Sequence, residues 1–374
     1  MKINIKRIYF LVIIIIFLYS YLANVEKYVP IEELDIPVGI GYELKEWSPK
    51  GQVYNVPLAI YNLGQGEKQP VSVVILNGEG ETIGRTREDR QRKSARKFII
   101  GTEKIAIISQ EFGEKGIHDI VNILFTNSLV NDKSLVAIFK GKATEALNLI
   151  VIGYPSSADY IQGMLQNSIN FNFFSNDFQL IDIYIRIDAE GRELVLPNID
   201  IDKNQLKIIG LSVFDKDKIV TTLNINDSKW MSILRNNKVN GVIELQDKSG
   251  NSTELYAHSK RKVKCKKVGD KYSFTIDLMI KSDIIQNEIY SKALEDPRAI
   301  KELEEDAKEE VEKMCNNFIK KMQEEIKIDC LELGREAVAK YGRKTGIDWN
   351  KAICEADIKV NVKLTIDRIG RGRY

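Results

Sequence analysis

Apolar positions fall into three kinds of run along this chain. The first is unbroken: residues 8–25 read IYFLVIIIIFLYSYLANV, with no charge. As a helix this stretch reaches ~27 Å, close to the ~30 Å hydrocarbon core of a bilayer. The second kind is short, apolar and bounded by turns. Residues 71–76 (VSVVIL), 105–108 and 135–139 (LVAIF) predict strands. Between them the pattern predicts a very polar helix through REDRQRKSARK and a helix over 113–127 carrying Ile117, Ile120, Val121 and Leu124. A shorter helix follows at 142–149. Residues 33–44 and 53–63 read as further strands, which Pro37 and Pro57 confine to edges or irregular positions. Strands alternating with helices here argue for an α+β or α/β domain.

The third kind of run is periodic. A helix over 160–170 places Ile161, Leu165 and Ile169 four apart, whereas Ile181, Ile183, Ile185 and Ile187 alternate with Asp182, Tyr184 and Arg186 and predict a half-buried strand. Residues 194–202, with Pro197, read as a connector. From Leu206 come a strand, a turn at 215–217, a short strand and a helix around 227–234. An antiparallel meander of 241–245, 253–267 and 272–280 then turns at 248–251 and 269–270. Tyr272, Phe274, Ile276, Leu278 and Ile280 share one of its faces. Residues 297–341 predict one long helix with Val311, Cys315, Phe318, Met322, Ile326 and Cys330 as its buried stripe. Its acidic start, 302–312, reads as a solvated face. Ile358, Val360, Val362, Leu364 and Ile366 then alternate as a strand that joins the meander, with the helix across one face.

The fold class expected is α+β: a multi-domain ectodomain of mixed and antiparallel sheets with packed helices, behind one N-terminal membrane segment. The divisions expected are 1–25, 26–200 and 201–374, with a further split near 285–300. Lys2, Lys6 and Arg7 precede the apolar run and predict the N-terminus inside and the remainder outside. Cleavage after Ala23 puts Tyr21 at −3, and cleavage after Ser20 puts Leu18 there, so the segment reads as a retained anchor. Asn24 follows Tyr21-Leu22-Ala23 where a lipoprotein needs cysteine, so no lipid anchor is expected.

Setting those three cations aside leaves 52 basic against 53 acidic residues. A near-neutral body argues against nucleic acid as a partner. The chain has two histidines and four cysteines, Cys265, Cys315, Cys330 and Cys354, with no C-x-x-C spacing. They predict no metal site, no cofactor and no catalytic residue, and the thiols read as packed and free. After the VSVVIL strand, Gly78-Glu79-Gly80-Glu81-Thr82-Ile83-Gly84 brings the third glycine one residue late for a dinucleotide fingerprint. Its two glutamates would repel a diphosphate, and a plain glycine turn is the better reading. His118 and His258 have no nucleophile or second histidine nearby in sequence. Of the charged stretches, the basic helix carrying Arg85, Arg87, Arg90, Arg92 and Lys93 is the candidate partner or membrane surface.

Four groups of residues stand in a set order along the chain. Glu32-Glu33-Leu34 leads to Gly39-Ile40-Gly41, and the glycine turn is followed by Ser94-Ala95-Arg96-Lys97-Phe98. Gly210-Leu211-Ser212-Val213-Phe214 comes next, with Asp217-Lys218-Ile219-Val220. Asp329-Cys330-Leu331-Glu332-Leu333-Gly334, Trp349 and the alternating final strand complete the set. This ordered set resembles the Ger(x)C family, the C subunits of spore nutrient-germinant receptors. The resemblance implies a three-domain α+β protein without known catalysis, on the outer face of the spore inner membrane. The partners implied are an A-type subunit with a soluble domain and a transporter-like B-type subunit. Asn24 stands near the position of the family's lipidated cysteine, and Thr102 follows Gly101 where relatives usually carry histidine. The expected function is therefore a non-enzymatic, membrane-tethered receptor subunit. An exported enzyme acting on the spore envelope, or an orphan protein stabilising another membrane complex, is the alternative.

Overall fold

The structure is a computed structural model that describes residues 5–23, 30–48, 51–62, 71–269, 271–290 and 296–368. Asn24, Lys2, Val25 and Asp270 of the readings above lie outside these residues. The chain begins with α1 (Ile5–Ala23), then enters β1 (Leu34–Ser48), β2 (Gly51–Asn55), β3 (Leu58–Asn62), β4 (Ser72–Leu76) and β5 (Glu79–Gly80). Next come α2 (Ile83–Lys93), β6 (Lys97–Phe98), β7 (Ile105–Ser109), α3 (Gln110–Lys115), α4 (His118–Thr126), β8 (Leu135–Phe139), α5 (Ala143–Asn148), α6 (Ser157–Ser168) and α7 (Leu180–Ile187). The hairpins β9 (Val195–Asp202), β10 (Gln205–Asp215) and β11 (Lys218–Asn224) lead to α8 (Ile225–Arg235). The last part comprises β12 (Lys238–Gln246), β13 (Ser252–Val268), β14 (Lys271–Asn287), α9 (Pro297–Lys321), α10 (Leu333–Tyr341), α11 (Trp349–Cys354) and β15 (Asp357–Arg368).

These elements form two mixed sheets. In the larger one the order is β11-β10-β9-β8-β7-β1-β2-β5, with β3 and β6 also paired to β1 and β4 paired to β3. β1, β7, β8 and β9 run parallel, and the outer pairs are antiparallel. Both faces of its centre are covered, which explains the unbroken apolar runs IAII and LVAIF. Ala106, Ile108, Val136 and Ile138 pack towards α3, α4 and α7, and Ile105, Ile107, Ala137 and Phe139 towards α5 and α6. The smaller sheet is β12-β13-β14-β15, with β15 parallel to β14. As expected, Tyr272, Phe274, Ile276, Leu278 and Ile280 all lie buried on one face, packed with Val311, Cys315, Phe318 and Met322. All four cysteines are unpaired, and three of them are buried.

Several elements depart from the sequence expectation. The isoleucines at 181–187 form α7, not a strand. Leu180, Ile183 and Ile187 make its buried face, while Ile181 and Ile185 are exposed. A capping box between Gln179 and Asp182 starts it. The helix at 113–127 is two helices, broken at Gly116, whose φ is +126°. The connector at 194–202 is strand β9. Its proline is tolerated because β8 pairs with it only at Asn198 and Ile199. The helix of 297–341 stops short: after Lys321 comes one π turn, then Lys327 at φ +59°, so Cys330 packs from a loop and not from the stripe. Its acidic face is also more than solvated. Glu304 and Glu312 accept hydrogen bonds from the Ile366 and Val362 amides (2.8 and 3.1 Å), closing the outer edge of β15.

From Tyr9 to Tyr21 every side chain of α1 is exposed. Among the described residues no helix is long and apolar enough to cross a membrane.

Candidate functional site

Helix α2 starts at Thr82, whose hydroxyl accepts the Arg85 amide at 3.2 Å. The helix lays Ile83, Thr86 and Arg90 inward. The remaining cations face solvent and are partly neutralised. Arg85 meets Glu81 at 2.8 Å, and Arg92 and Lys93 share Asp89 at 3.4 and 2.5 Å. Lys93 also donates to the Asn77 carbonyl at 3.1 Å. Arg87 is exposed.

Arg90 is different. Only 7% exposed, it donates from Nη1 to the Val56 carbonyl at 2.7 Å and to Thr86 Oγ1 at 3.3 Å. Burial pulls its pKa down to about 10. The glycine turn is what lets it lie there. A Cβ on Gly78 would stand 2.2 Å from the Thr86 carbonyl and 2.6 Å from Arg90 Cγ. The turn's amides are already engaged: Gly78 donates to Val56 at 3.3 Å and Glu79 to Asp89 at 3.0 Å. These two amides are packing groups, spent inside the fold. Arg90→Glu is expected to lower unfolding stability by about 3 kcal/mol or more, because a carboxylate would face a carbonyl out of water. Arg92→Glu, with its side chain 77% exposed, should stay within about 0.5 kcal/mol. Urea denaturation of the two variants orders them, and the reverse order would refute the inward assignment.

Beneath α2 lies a cavity of about 130 Å³, walled by Ile40, Tyr42, Val56, Leu58, Ile123 and Leu124 and reached by Arg87, Arg90 and Glu103. Burial pushes the Glu103 carboxyl above its ordinary range, although the Gly101 amide donates to it at 3.0 Å. Ser134 also lines the cavity, and its hydroxyl donates to the Glu103 carbonyl. The histidines stand elsewhere: His118 opens α4, and His258 pairs with Asn240 at 2.7 Å in β13. Among the described residues no group of three His, Cys, Asp or Glu side chains is gathered as a metal site.

The densest buried charge escaped the sequence reading. Glu332, 2% exposed, accepts from Arg186 Nε at 2.9 Å, Arg235 Nη2 at 2.8 Å and Arg335 Nη1 at 3.2 Å. Arg186 also meets Asp182 at 3.0 Å and Asp177 at 2.8 Å. Arg235 reaches the Cys330 and Glu193 carbonyls at 2.7 and 2.8 Å. Arg261, which burial pulls down to about 10, donates to the Leu331 carbonyl at 3.2 Å. Next to this hub, Asp329 accepts the Leu333 and Gly334 amides at 3.1 and 2.6 Å and so starts α10. The segment Asp329-Cys330-Leu331-Glu332-Leu333-Gly334 is therefore a structural joint: it is buried throughout and ties α7 and α8 to α10.

Comparison with known proteins finds two family matches, one after the other along the chain. A family described as "Spore germination protein N-terminal domain" matches residues 27–201, and one described as "Spore germination B3/ GerAC like, C-terminal" matches residues 209–370. The two meet across the β9–β10 hairpin. Spore germination protein GerQC of Bacillus cereus is 24% identical over 314 residues, spanning 82% of this chain and 84% of the relative. Spore germination protein YndF of Bacillus subtilis (strain 168) is 22% identical over 315 residues, spanning 82% and 77%. The crystal structure of the GerBC protein superposes with a TM-score of 0.51 at 16% identity, covering 88% of this chain and 97% of that one, and so shares the fold. With one family match on each side of residues 202–208, this chain belongs to the Ger(x)C family of spore germination proteins.

Proposed function

We propose that the protein is a non-catalytic, membrane-tethered C subunit of a nutrient-germinant receptor, held on the outer face of the spore inner membrane beside A-type and B-type membrane subunits. The observation that carries this reading is the pair of spore-germination family matches, in order, over almost all of the chain after α1. The tether is α1: its nineteen residues rise about 28 Å, and its exposed side chains from Tyr9 to Tyr21 are nearly all apolar or tyrosine. Outside the tether, Arg85, Arg87, Arg92 and Lys93 are the cations of α2 open to a partner or to anionic headgroups. Arg90 is withdrawn from that surface by its burial.

Removing residues 1–25 is expected to abolish the germination response of spores that depend on this subunit, while leaving the remainder folded. The check is germinant-triggered loss of spore optical density, run beside circular dichroism of the purified truncated protein. A full response from the truncated form would overturn the tether. Recovery of the tagged full chain from spore membranes without multi-pass partners would overturn the receptor reading.

A further inference from the structure

The parallel strands β1, β7 and β8 begin at one end of the larger sheet, and the chain enters that end from α1. Several contacts gather loops there. Ile36 pairs with Tyr61, and Tyr61 and Lys104 both bind Asp159 at the start of α6, at 2.7 and 2.6 Å. The Ile99 amide donates to the Asp35 carbonyl at 3.0 Å, and Gly101 lies against the Leu129 carbonyl. Val71 stands two residues beyond Val73, the β4 partner of Tyr61.

This end is rimmed by large apolar side chains in water. Ile31, Val71, Ile100 and Leu129 are exposed, and Ile150 and Ile152 are 90% and 97% exposed. The cause of the last two is local. Leu149 and Val151 pack onto the core beside α5 and α6, so the alternate residues Ile150 and Ile152 must point outward. The loop is held firmly in that pose. The Tyr154 amide donates to the Val151 carbonyl at 3.2 Å, and the Tyr154 ring stacks edge-on against Tyr160 at 5.0 Å. Ser156 caps α6, and Ser157 bonds the Leu147 carbonyl at 2.9 Å. Two nearly naked isoleucines on a fixed loop within a wider apolar rim mark a contact surface.

Chain length names the occupant. From Ala23, the end of α1, to Ile31 on the rim is eight residues, which reach at most about 27 Å. If α1 lies in a bilayer, the rim cannot leave its neighbourhood. We propose that loop 150–154 and the apolar rim around it seat this end of the domain on the lipid surface, with Ile150 and Ile152 entering the acyl boundary and Tyr154 at headgroup depth. The proposal rests on the reading of α1 as the tether. Lys97 pairs with Leu34, next to Glu33, and the side chains that make the seat are uncharged, so the contact should persist at high salt.

The test uses the full chain in phosphatidylcholine–phosphatidylglycerol vesicles containing an acyl-chain spin label. An environment-sensitive fluorophore is attached to Ile152→Cys, to Tyr19→Cys in α1, or to Lys248→Cys in the turn after β12. Loss of fluorescence at residues 19 and 152 but not at 248, unchanged in high salt, is the expected result. Quenching at 19 alone overturns the seating and leaves the tether intact. Quenching at neither residue overturns both. A residue-152 signal that stays solvent-like in lipid, and shifts to the blue only in membranes carrying other spore proteins, overturns the lipid assignment in favour of a protein partner.

Discussion

Glu332→Ala is expected to lower the free energy of unfolding by about 3–5 kcal/mol. The carboxylate is the common partner of Arg186, Arg235 and Arg335. Arg186 and Arg235 are themselves only 6% and 9% exposed. Removing Glu332 leaves Arg235 with carbonyl acceptors but no anion bonded to it, and that uncompensated buried charge is the source of the loss. Glu332 also sits at φ +53°, a left-handed conformation that is unfavourable by roughly 1–2 kcal/mol for a side-chain-bearing residue. Glu332→Gly relieves that strain and separates the two effects. It should still destabilise, and a gain in stability would show that the backbone, not the charge, dominates. The pH dependence carries a definite sign. Burial opposes ionisation, but Arg235, Arg186 and Arg335 outweigh it and hold Glu332 down to about 2. The hub's contribution is therefore full above the ordinary glutamate range, ~4.3. It is lost as pH falls through the folded value of about 2. Urea titrations of wild type and Glu332→Ala at stepwise lower pH should converge in that window.

Periodicity carried much of the fold. The five alternating apolar residues of β14 and the alternation in β15 were readable because each strand has one buried face and one wet face. Where two periods overlap, the sequence was ambiguous. Leu180, Ile183 and Ile187 are spaced for a helix, while the isoleucines at 181, 183, 185 and 187 are spaced for a strand. The Gln179–Asp182 box and the burial of Arg186 against Glu332 decide for helix. The basic helix was visible, but its inward residue was not. Ile83, Thr86 and Arg90 form a three-four stripe that could have flagged Arg90, had an arginine been allowed on a buried face. The hub had no local signal. Arg186 and Arg235 lie 146 and 97 residues from Glu332, and charges so far apart read as surface until the chain brings them together. The same holds for Glu304 and Glu312, whose role depends on the edge of β15 lying alongside α9. The loop 149–155 belongs to no periodic run, so its alternation of packed Leu149 and Val151 with exposed Ile150 and Ile152 takes meaning only from the fold.

Gly191→Ala should destabilise by roughly 3 kcal/mol or more, the sum of a left-handed backbone penalty and an overlap that cannot relax. Gly191 has φ +69°, and a Cβ there would lie 2.4 Å from the Gly334 carbonyl carbon and 2.6 Å from the Arg335 amide nitrogen. Those are backbone atoms, not the ends of flexible side chains. They are also fixed, because the Gly334 amide is bonded to Asp329 and because Trp349 Cβ lies 3.1 Å from where a Gly334 Cβ would stand. Moving α10 away to make room would pull Arg335 and Glu332 off the arginine hub, so the steric and electrostatic losses are coupled. Gly250→Ala isolates the backbone part. Its φ is +87°, but nothing stands within 4 Å of an added Cβ, so only about 1–2 kcal/mol should go. Equal losses from the two variants would mean that the Gly191–Gly334 contact is looser than its geometry. A double variant with Glu332→Ala should lose less than the two single losses combined, because each already loosens the same joint between α7 and α10.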